Sequence, residues 1–331
     1  MSNPNLRWER QASVNFGFDF SLKGGKISGA ADYYIRNTSD LLVNRALPNI
    51  TGFGSVITNL GKVDNSGFEF SLNTENLKLN NFIWRSSLAV WSNRNEIVSL
   101  YGKVPVTDAS GNTVLTEQDD RANGWFIGKN INTIWDFRIL GVWKVEEAAT
   151  ARSYGFAPGD FKLDDVNKDG KFTVDDRVFL GQTAPKFNLN LRNEFTIYKN
   201  FDVSFQLYGR FGQFSQFNEA ANVDRFYDRA QFYKRPYWTP TNQIDDYARM
   251  MSSLGSGIGL NVWRKSSFIR VNNVSFAYTT PKRLTDKLKL QSLKVYFNIQ
   301  NALTVSPWEY FDPENKGFTP SYGTFGINMT L

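Results

Sequence analysis

Apolar and polar side chains alternate along several separate stretches of this chain. The apolar positions of the first stretch are Val14, Phe16, Phe18, Phe20 and Leu22. The same alternation returns at 201–208 and 293–300. A period of two places successive side chains on opposite faces, so these stretches predict β-strands with one apolar and one polar face. In repeated, aromatic-rich strands of this length, the apolar face is expected to contact either a protein core or lipid.

The composition narrows the classes of protein that such strands can build. The 331 residues contain no continuous apolar run of about 18 residues, which argues against a transmembrane helix. A transmembrane barrel is compatible with the 41% of apolar residues, because every second residue of its strands faces water. The aromatic share of 15% would fill a soluble core or form the interfacial girdles of a barrel.

The absence of cysteine and histidine removes much of the usual chemistry of active sites. The chain has no disulfide, no Ser-His or Cys-His catalytic pair and no histidine metal ligand. The net charge of +6 is modest and the charges are interspersed, so no nucleic-acid partner is expected. We expect no enzyme, although paired carboxylates at 175–176 and 245–246 would be the remaining route to an acid–base glycosidase.

Tight turns and long loops alternate between the predicted strands. The strands are predicted at 12–22, 27–36, 65–74, 81–92, 187–197, 201–211, 266–278, 291–301 and 322–331, with 131–145 also extended. The long loops are predicted at 38–61, 93–130, 146–186 and 213–262. Outer-membrane barrels have short turns at one end and long loops at the other. We therefore predict an all-β, antiparallel transmembrane barrel wall with about ten to twelve strands.

The segment 165–176 carries oxygen-bearing side chains at the spacing of a calcium-binding loop. The ligands expected from the EF-hand pattern are Asp165, Asn167, Asp169, Lys171 through its carbonyl, and Asp176. Gly170 stands at the sixth position, where the loop turns sharply. An aspartate replaces the usual final glutamate and no flanking helix is predicted, which is closer to a single dockerin-type loop. Ca²⁺ is the expected cofactor, and an ion-free turn rich in Asp and Asn is the alternative.

A further candidate site is the aromatic segment 213–238 within the third long loop. Its aromatic residues are Phe214, Phe217, Phe226, Tyr227, Phe232, Tyr233, Tyr237 and Trp238. Loops of this length are uncommon unless they are functional or disordered. Two interpretations remain open: the rings stack against sugars or a partner protein, or they pack over the mouth of the barrel.

Several segments together resemble the SusC/RagA-type TonB-dependent outer-membrane transporters. The segments that carry the resemblance are 3–9, 32–42, 59–70, 165–177 with 185–187, 267–276 with Tyr278, and 298–303. They run in family order along nearly the whole chain. The resemblance implies that residues 1–331 form the C-terminal part of the receptor barrel, with the plug, the TonB box and the signal peptide absent. Leu331 is a departure, because such barrels usually end in an aromatic residue.

The resemblance also implies a function and partners. The whole protein would import oligosaccharides or peptides across the outer membrane of a Gram-negative, Bacteroidetes-like bacterium. TonB would deliver the energy through the missing N-terminal region, a SusD-like surface lipoprotein would capture the substrate, and outer-membrane lipid would contact the apolar face. Barrels of this class have about 22 strands, so about half of one leaves unpaired edges in lipid. We therefore expect this chain alone not to transport.

A protein of a different class also fits the residues. A secreted β-rich module that binds glycans through a dockerin-like calcium loop would have compact strands and need no detergent. The first residues lack the charged and apolar regions of a signal peptide, which indicates a cytoplasmic protein or a sequence that is incomplete at its start. The long loops and the aromatic alternating faces favour the barrel.

Overall fold

The computed structural model of the chain describes residues 3–47, 49–107, 110–222, 235–253 and 258–331. Within these ranges the structure is mainly antiparallel β-sheet, with two short α-helices. None of the helices in the described ranges is long and apolar enough to cross a membrane. The fold therefore has to be understood from its strands and from the faces that they present.

The strands vary from three to 25 residues in length. In chain order they are β1 Arg10–Leu22, β2 Ile27–Ala46, β3 Ser55–Leu79, β4 Phe82–Ser99, β5 Val104–Thr107, β6 Thr113–Thr116, β7 Thr133–Phe137, β8 Ile139–Val142, β9 Phe161–Leu163, β10 Arg177–Gln182, β11 Phe187–Ile197, β12 Phe201–Phe211, β13 Phe214–Gln216, β14 Trp263–Lys265, β15 Phe268–Thr279, β16 Ser292–Val305 and β17 Tyr322–Thr330. The α-helices are α1 Ala148–Ser153 and α2 Lys282–Lys287. Short 3-10 helices cover Asn49–Thr51, Val145–Glu147, Val174–Asp176 and Asn218–Ala221.

In the part of the chain that the structure describes, nine long strands form one antiparallel sheet in the order β1-β2-β3-β4-β11-β12-β15-β16-β17. Each strand pairs with the strand before and after it in this series, so the sheet is an up-and-down meander with β1 and β17 at its edges. The other eight strands form four two-stranded sheets. The expected wall of about ten to twelve strands is thus wrong, because 131–145 folds into β7 and β8 of the small sheets.

At one end of the large sheet, here called the turn end, three connections are tight turns and the fourth, 280–291, contains α2. Two of these turns, at 23–26 and 198–200, join β1 to β2 and β11 to β12. Gly24 and Gly25 have φ angles of 65° and 87°, a region that glycine adopts at little cost. The longer connections, including 100–186 and 212–267, leave the opposite end, here called the loop end. The predicted rhythm of tight turns and long loops is confirmed.

Strands β2 and β3 extend further toward the loop end than the sequence pattern predicted. Residues 38–61 were expected to be a loop, but Leu41 pairs with Leu60 and Val43 with Thr58. The φ of 56° at Asp40 interrupts the strand only locally. The extension is held by a hydrophobic cluster of the buried residues Leu60, Val63, Ile97 and Leu100, with Leu41, Val43, Trp125, Ile127 and Ile131 packed against it. Burial at this cluster overrides the turn residues of the local sequence.

The chain divides into two compact units. Unit 1 comprises Met1–Ile131, Ala184–Gln213 and Ser266–Leu331 and contains the nine-stranded sheet. Unit 2 comprises Asn132–Thr183 and Phe214–Lys265. Its core contains Ile134, Phe137, Val142, Trp143, Phe161, Leu163, Phe217, Leu260 and Val262, all buried. Unit 2 is therefore organised like a water-soluble protein, with its apolar side chains inside.

A buried carboxylate ties the two chain segments of unit 2 together. Asp160 has no exposed surface, and its side chain accepts hydrogen bonds from Arg249 Nε and Ser253 Oγ, both at 2.9 Å. The backbone amide of Ala157 also donates to it, at 3.0 Å. A buried charge is stable only when it is paired and hydrogen-bonded, and both conditions are met here.

We expect Leu60→Ala to lower the free energy of unfolding by about 2–5 kcal/mol, because it leaves a cavity in the loop-end cluster. Leu115→Ala is the matched control, since Leu115 is 66% exposed in the β5–β6 hairpin. Urea unfolding of the detergent-solubilised protein, followed by tryptophan fluorescence, measures both variants. Equal losses of stability would contradict a structural role for the cluster.

Candidate functional site

One face of the nine-stranded sheet is apolar from edge to edge. The register aligns Phe16 with Tyr33 at one side of the sheet, and Phe297 with Phe325 at the other. Exposed side chains on this face include Val14, Phe16, Phe18, Leu22, Tyr33, Phe68, Leu79, Trp84, Phe201, Phe276, Phe297, Phe325, Ile327 and Met329. A soluble sandwich would bury such a face against a second sheet. Exposed large apolar side chains in unbroken rows instead fit contact with lipid.

The apolar face has the height of a membrane-spanning band. Strands β11 and β12 each contain 11 residues, which matches the about 9–11 residues of a tilted transmembrane strand. Toward the loop end, the same face of β3 and β4 becomes charged. Lys62 pairs with Asp64 at 3.4 Å, and Arg94 pairs with Glu96 at 2.8 Å. These charges mark the boundary of the apolar band at the loop end.

Aromatic side chains gather at the turn end of the band. The ring centroids of Trp84 and Phe195 lie 5.9 Å apart, and those of Phe201 and Tyr278 lie 4.8 Å apart. Trp84 Nε1 and Ser86 Oγ both donate to Asn193 Oδ1, at 3.0 and 2.7 Å, which satisfies the polar groups that lie within the apolar band. Tryptophan and tyrosine favour the membrane–water interface because their rings are apolar while their N–H or O–H groups are polar.

The opposite face of the sheet is polar and carries paired charges. Neutral amides and hydroxyls on it include Asn15, Tyr34, Asn93, Gln206, Ser275, Asn298 and Gln300. Arg192 pairs with Glu194 at 2.6 Å and Arg85 with Glu75 at 3.3 Å. This face suits the water-filled interior of a barrel, where polar side chains stay hydrated.

A buried arginine anchors the β16–β17 loop to the polar face. Arg270 on β15 is 6% exposed. Its Nη2 donates to Asp312 Oδ2 at 2.5 Å, and its Nη1 donates to Glu314 Oε2 at 3.1 Å. Arg210 on β12 also pairs with Glu314, at 3.2 Å. Two strands therefore hold one acidic loop through charge-assisted hydrogen bonds, the strongest class of such bonds in proteins.

The environment of Asp312 keeps its carboxyl ionised. Burial alone would raise the pKa of Asp312, but hydrogen bonds from the backbone amides of Glu314 and Asn315 and the charge of Arg270 hold it below its usual value. Burial lowers the pKa of Lys316, against the opposing attraction of Asp312. The ammonium group of Lys316 lies 4.3 Å from the centre of the Trp308 ring. The charges of this loop are thus mutually compensated.

The anchored loop and the end of β16 line an open cavity of about 350 Å³. Its lining comprises Thr304, Ser306, Trp308, Phe311, Asp312, Pro313, Gly317, Phe318 and Thr319. Phe318 is 79% exposed at the cavity, whereas Trp308 is buried. Cavities of this size commonly hold small ligands or one unit of a larger one.

The acidic segment closes on itself through hydrogen bonds. Asp176 is fully buried, and its carboxylate accepts from the backbone amides of Val166 and Thr173 at 2.9 and 2.8 Å. Asp165 Oδ2 accepts from Tyr154 Oη at 2.8 Å and from the Gly170 amide at 3.0 Å. The predicted sharp turn at Gly170 is present, with a φ of 80°. The sequence spacing therefore produces a compact loop that its own hydrogen bonds close.

The predicted calcium ligands include an amide side chain and a backbone carbonyl besides carboxylates. Across the described ranges, no group of three or more acidic side chains is placed to hold a metal ion. Asn167 and Asp169 accept backbone amides of the loop itself, at 3.0 and 2.9 Å. Asp165 Oδ1 is the buried oxygen of the loop that has no hydrogen-bond partner. Calcium binding by Asp165, Asn167, Asp169, Lys171 and Asp176 stays a prediction.

Among the other candidate residues, Asp245, Phe217 and Trp238 make structural contacts, whereas Tyr237 is 47% exposed. Asp245 binds Lys144 Nζ at 2.6 Å, and this bond is the main reason why the pKa of Asp245 is low. In the aromatic segment, Phe217 has no exposed surface and lies under the guanidinium of Arg264, at 5.1 Å. Phe226, Tyr227, Phe232 and Tyr233 lie outside the described residues. The described rings Phe217 and Trp238 belong to the core of unit 2.

Comparisons with known proteins agree with the two faces of the sheet. No family model matches the chain. A TonB-dependent receptor of Formosa agariphila is 33% identical over 96% of this chain, and SusC of Bacteroides thetaiotaomicron is 27% identical over 95%. Among solved structures, the RagAB peptide transporter superposes on 100% of the chain with a TM-score of 0.74 at 20% identity.

The chain resembles the C-terminal part of the SusC/RagA-type TonB-dependent transporters. It spans about a third of the length of its relatives: 32% of the Formosa receptor, 30% of SusC and 36% of the RagAB chain. The predicted resemblance to SusC/RagA-type transporters and the partial, antiparallel barrel fold are therefore confirmed.

The sequence analysis missed the anchored loop of this SusC/RagA-type wall. Arg270 and Asp312 are 42 residues apart, and no local pattern connects them. The available signal was indirect: an arginine among neutral side chains on the polar face of a predicted strand, at 266–278. Its partners lie in a segment that the sequence analysis left between two strands without a function.

We expect acid to release the β16–β17 loop. The pKa of Asp312 is lower in the folded than in the unfolded state, so its ionised carboxylate stabilises the anchored loop. This stabilisation is fully present above the unfolded pKa of about 3.9 and is lost as pH falls through the lower, folded value. Hydrogen exchange of amides 306–321, corrected for intrinsic rates, measures the release. In Asp312→Asn, amides 306–321 should already exchange faster at pH 7, and their exchange should change less when the protein is acidified. An identical acid response in the variant would contradict this assignment.

We expect Asp176→Ala to destabilise unit 2 in EDTA by about 1–3 kcal/mol, because buried backbone amides lose their acceptor. Asp175→Ala is the control, since Asp175 is exposed. Thermal unfolding with and without Ca²⁺ separates two roles of the loop. A calcium-dependent rise in melting temperature that Asp176→Ala abolishes supports an ion site, and equal melting temperatures support the ion-free turn.

Proposed function

We propose that this chain forms part of the wall of an outer-membrane importer and that the whole protein takes up oligosaccharides or peptides. The observation that carries the proposal is the unbroken apolar face of the sheet, exposed on all nine strands and backed by a polar face. The relatives named SusC and RagAB support the same function. The location would be the outer membrane of a Gram-negative, Bacteroidetes-like bacterium.

Transport requires more strands than the large sheet contains. Strands β1 and β17 each pair on one side within the sheet, so each offers a second row of backbone donors and acceptors. Lipid cannot satisfy those groups, and a membrane sheet must therefore close. In our proposal residues 1–331 complete a barrel with further strands, and the chain alone does not transport.

Two protein partners belong to the proposal. A SusD-like surface lipoprotein would bind at the loop end, where the long connections leave the sheet and where substrate would arrive. TonB would act through a plug and a TonB box outside these residues. The names SusC and RagAB support this pairing by analogy with those relatives. Ca²⁺ in the 165–176 loop is a separate proposal, supported by the ligand spacing and the unpaired Asp165 Oδ1.

We expect Phe297→Arg to impair membrane assembly, while Asn298→Arg is tolerated. The two residues are neighbours on β16 but lie on opposite faces, and Phe297 is 41% exposed on the apolar band. Arginine near the middle of a lipid-facing band costs about 2–4 kcal/mol, whereas arginine on the lumen side stays hydrated. The fraction of protein in purified outer membranes measures assembly. Similar fractions for both variants would contradict a lipid-facing band.

Uptake by cells tests the transport function itself. Cells that produce the full-length protein should import fluorescent oligosaccharides or peptides, and loss of TonB should abolish that import. Cells that produce residues 1–331 alone should not import either substrate. Robust uptake by residues 1–331 alone would overturn the proposal that they are an incomplete barrel, and uptake that is independent of TonB would overturn the proposed energy source.

A further inference from the structure

The cavity under the β16–β17 loop combines exposed aromatic rings with hydroxyl groups. Phe318 is 79% exposed and Phe311 is 38% exposed, and both line the cavity with Pro313. Phe311 has a φ of 29°, a backbone conformation that a bulky residue rarely adopts. Such conformations persist only where the surrounding structure enforces them, and they concentrate at ligand-binding sites.

The polar groups of the cavity have hydrogen-bonding capacity left for a ligand. Thr304 Oγ1 accepts from Arg270 Nε at 3.1 Å, and Thr319 Oγ1 accepts from Asn315 Nδ2 at 2.7 Å. A threonine hydroxyl carries one proton besides its acceptor sites. Each of these two hydroxyls therefore keeps a proton that a ligand oxygen can accept.

The charges around the cavity are already neutralised by the protein. Asp312 Oδ2 is bound by Arg270, and Asp312 Oδ1 accepts from the backbone amides of Glu314 and Asn315 at 2.8 and 3.2 Å. Lys316 Nζ donates to the carbonyl of Pro313. A charged group of a ligand would lose hydration in this cavity and would find no unpaired counter-ion there. Its transfer from water would therefore cost free energy. The cavity therefore favours an uncharged ligand over a peptide terminus or an acidic side chain.

We propose that this cavity binds one ring of a neutral oligosaccharide. The C–H faces of a sugar ring are apolar enough to stack on Phe318 and Phe311, while its hydroxyls can accept from Thr304 and Thr319. The volume of about 350 Å³ accommodates one or two such rings. Arg270 is the positioning residue, because it fixes the loop that carries both phenylalanines. This inference rests on the proposed transport function and selects one of its two substrate classes.

Binding to the full-length protein in detergent tests the cavity directly. The probes are neutral gluco-hexasaccharides with α-1,4, β-1,3 and β-1,4 linkages and a tryptic digest of casein, each titrated calorimetrically. We expect at least one hexasaccharide to bind, Phe318→Ala to weaken it about fivefold or more, and Phe318→Trp to restore it, because the ring supplies the stacking surface. Thr319→Val should weaken binding about threefold or more through the lost hydroxyl.

The control is Phe53→Ala, a second exposed phenylalanine at the loop end, 49% exposed and absent from the cavity lining. It should bind like the unaltered protein. Equal binding by Phe318→Ala and Phe53→Ala would overturn the cavity as a binding site while leaving TonB-dependent uptake intact. Binding of casein peptides, but of no hexasaccharide, in a manner lost in Phe318→Ala would overturn the chemical class. Failure of the proposed transport function is recognised separately, by absent uptake in cells.

Discussion

The structure of unit 1 depends on the pairing of every strand with its neighbours in a fixed register. Side chains alternate along a strand, so a slip by one residue would exchange the apolar and polar faces of that strand. The observed register keeps Phe16 beside Tyr33 and Phe297 beside Phe325. Because lipid offers no hydrogen-bonding partner, the backbone ladder and the apolar band stabilise the same arrangement. The exposed apolar face is therefore a consequence of the environment that the sheet is built for.

The regions outside the band follow the rules of soluble proteins. Leu60 and Ile97 form a dry cluster at the loop end, and unit 2 has a buried core of its own. The buried carboxylates Asp160, Asp176 and Asp312 each accept several hydrogen bonds. Asp160 and Asp312 are also paired with arginines, and breaking a buried ion pair usually costs several kcal/mol because one charge is left without compensation. These contacts hold long loops in defined positions without requiring their local sequence to form regular structure.

Much of the wall could be predicted from alternation alone. Strands β11 and β12 have the bounds that the pattern predicted, 187–197 and 201–211, because each has a clear period of two and a tight turn between them. Strands β2 and β3 were predicted too short, because Pro48, Gly52, Gly54 and Gly61 locally indicate a loop. Residues 131–145 were predicted only as an extended segment, and they form β7 and β8 of the small sheets; an apolar extended run does not reveal its pairing partner.

The sequence by itself determined three features: the strands with one apolar and one polar face, the positions of the short turns, and the compact turn at 165–176. All of these depend on residues that are neighbours in the chain. Family resemblance added the identity of the barrel. Only the tertiary structure decided that Arg270 meets Asp312 and Glu314, and that the loop between β16 and β17 lines an open cavity with Phe318 at its rim. Such contacts join residues that are far apart in the chain, and their energy depends on burial and geometry that no local pattern encodes.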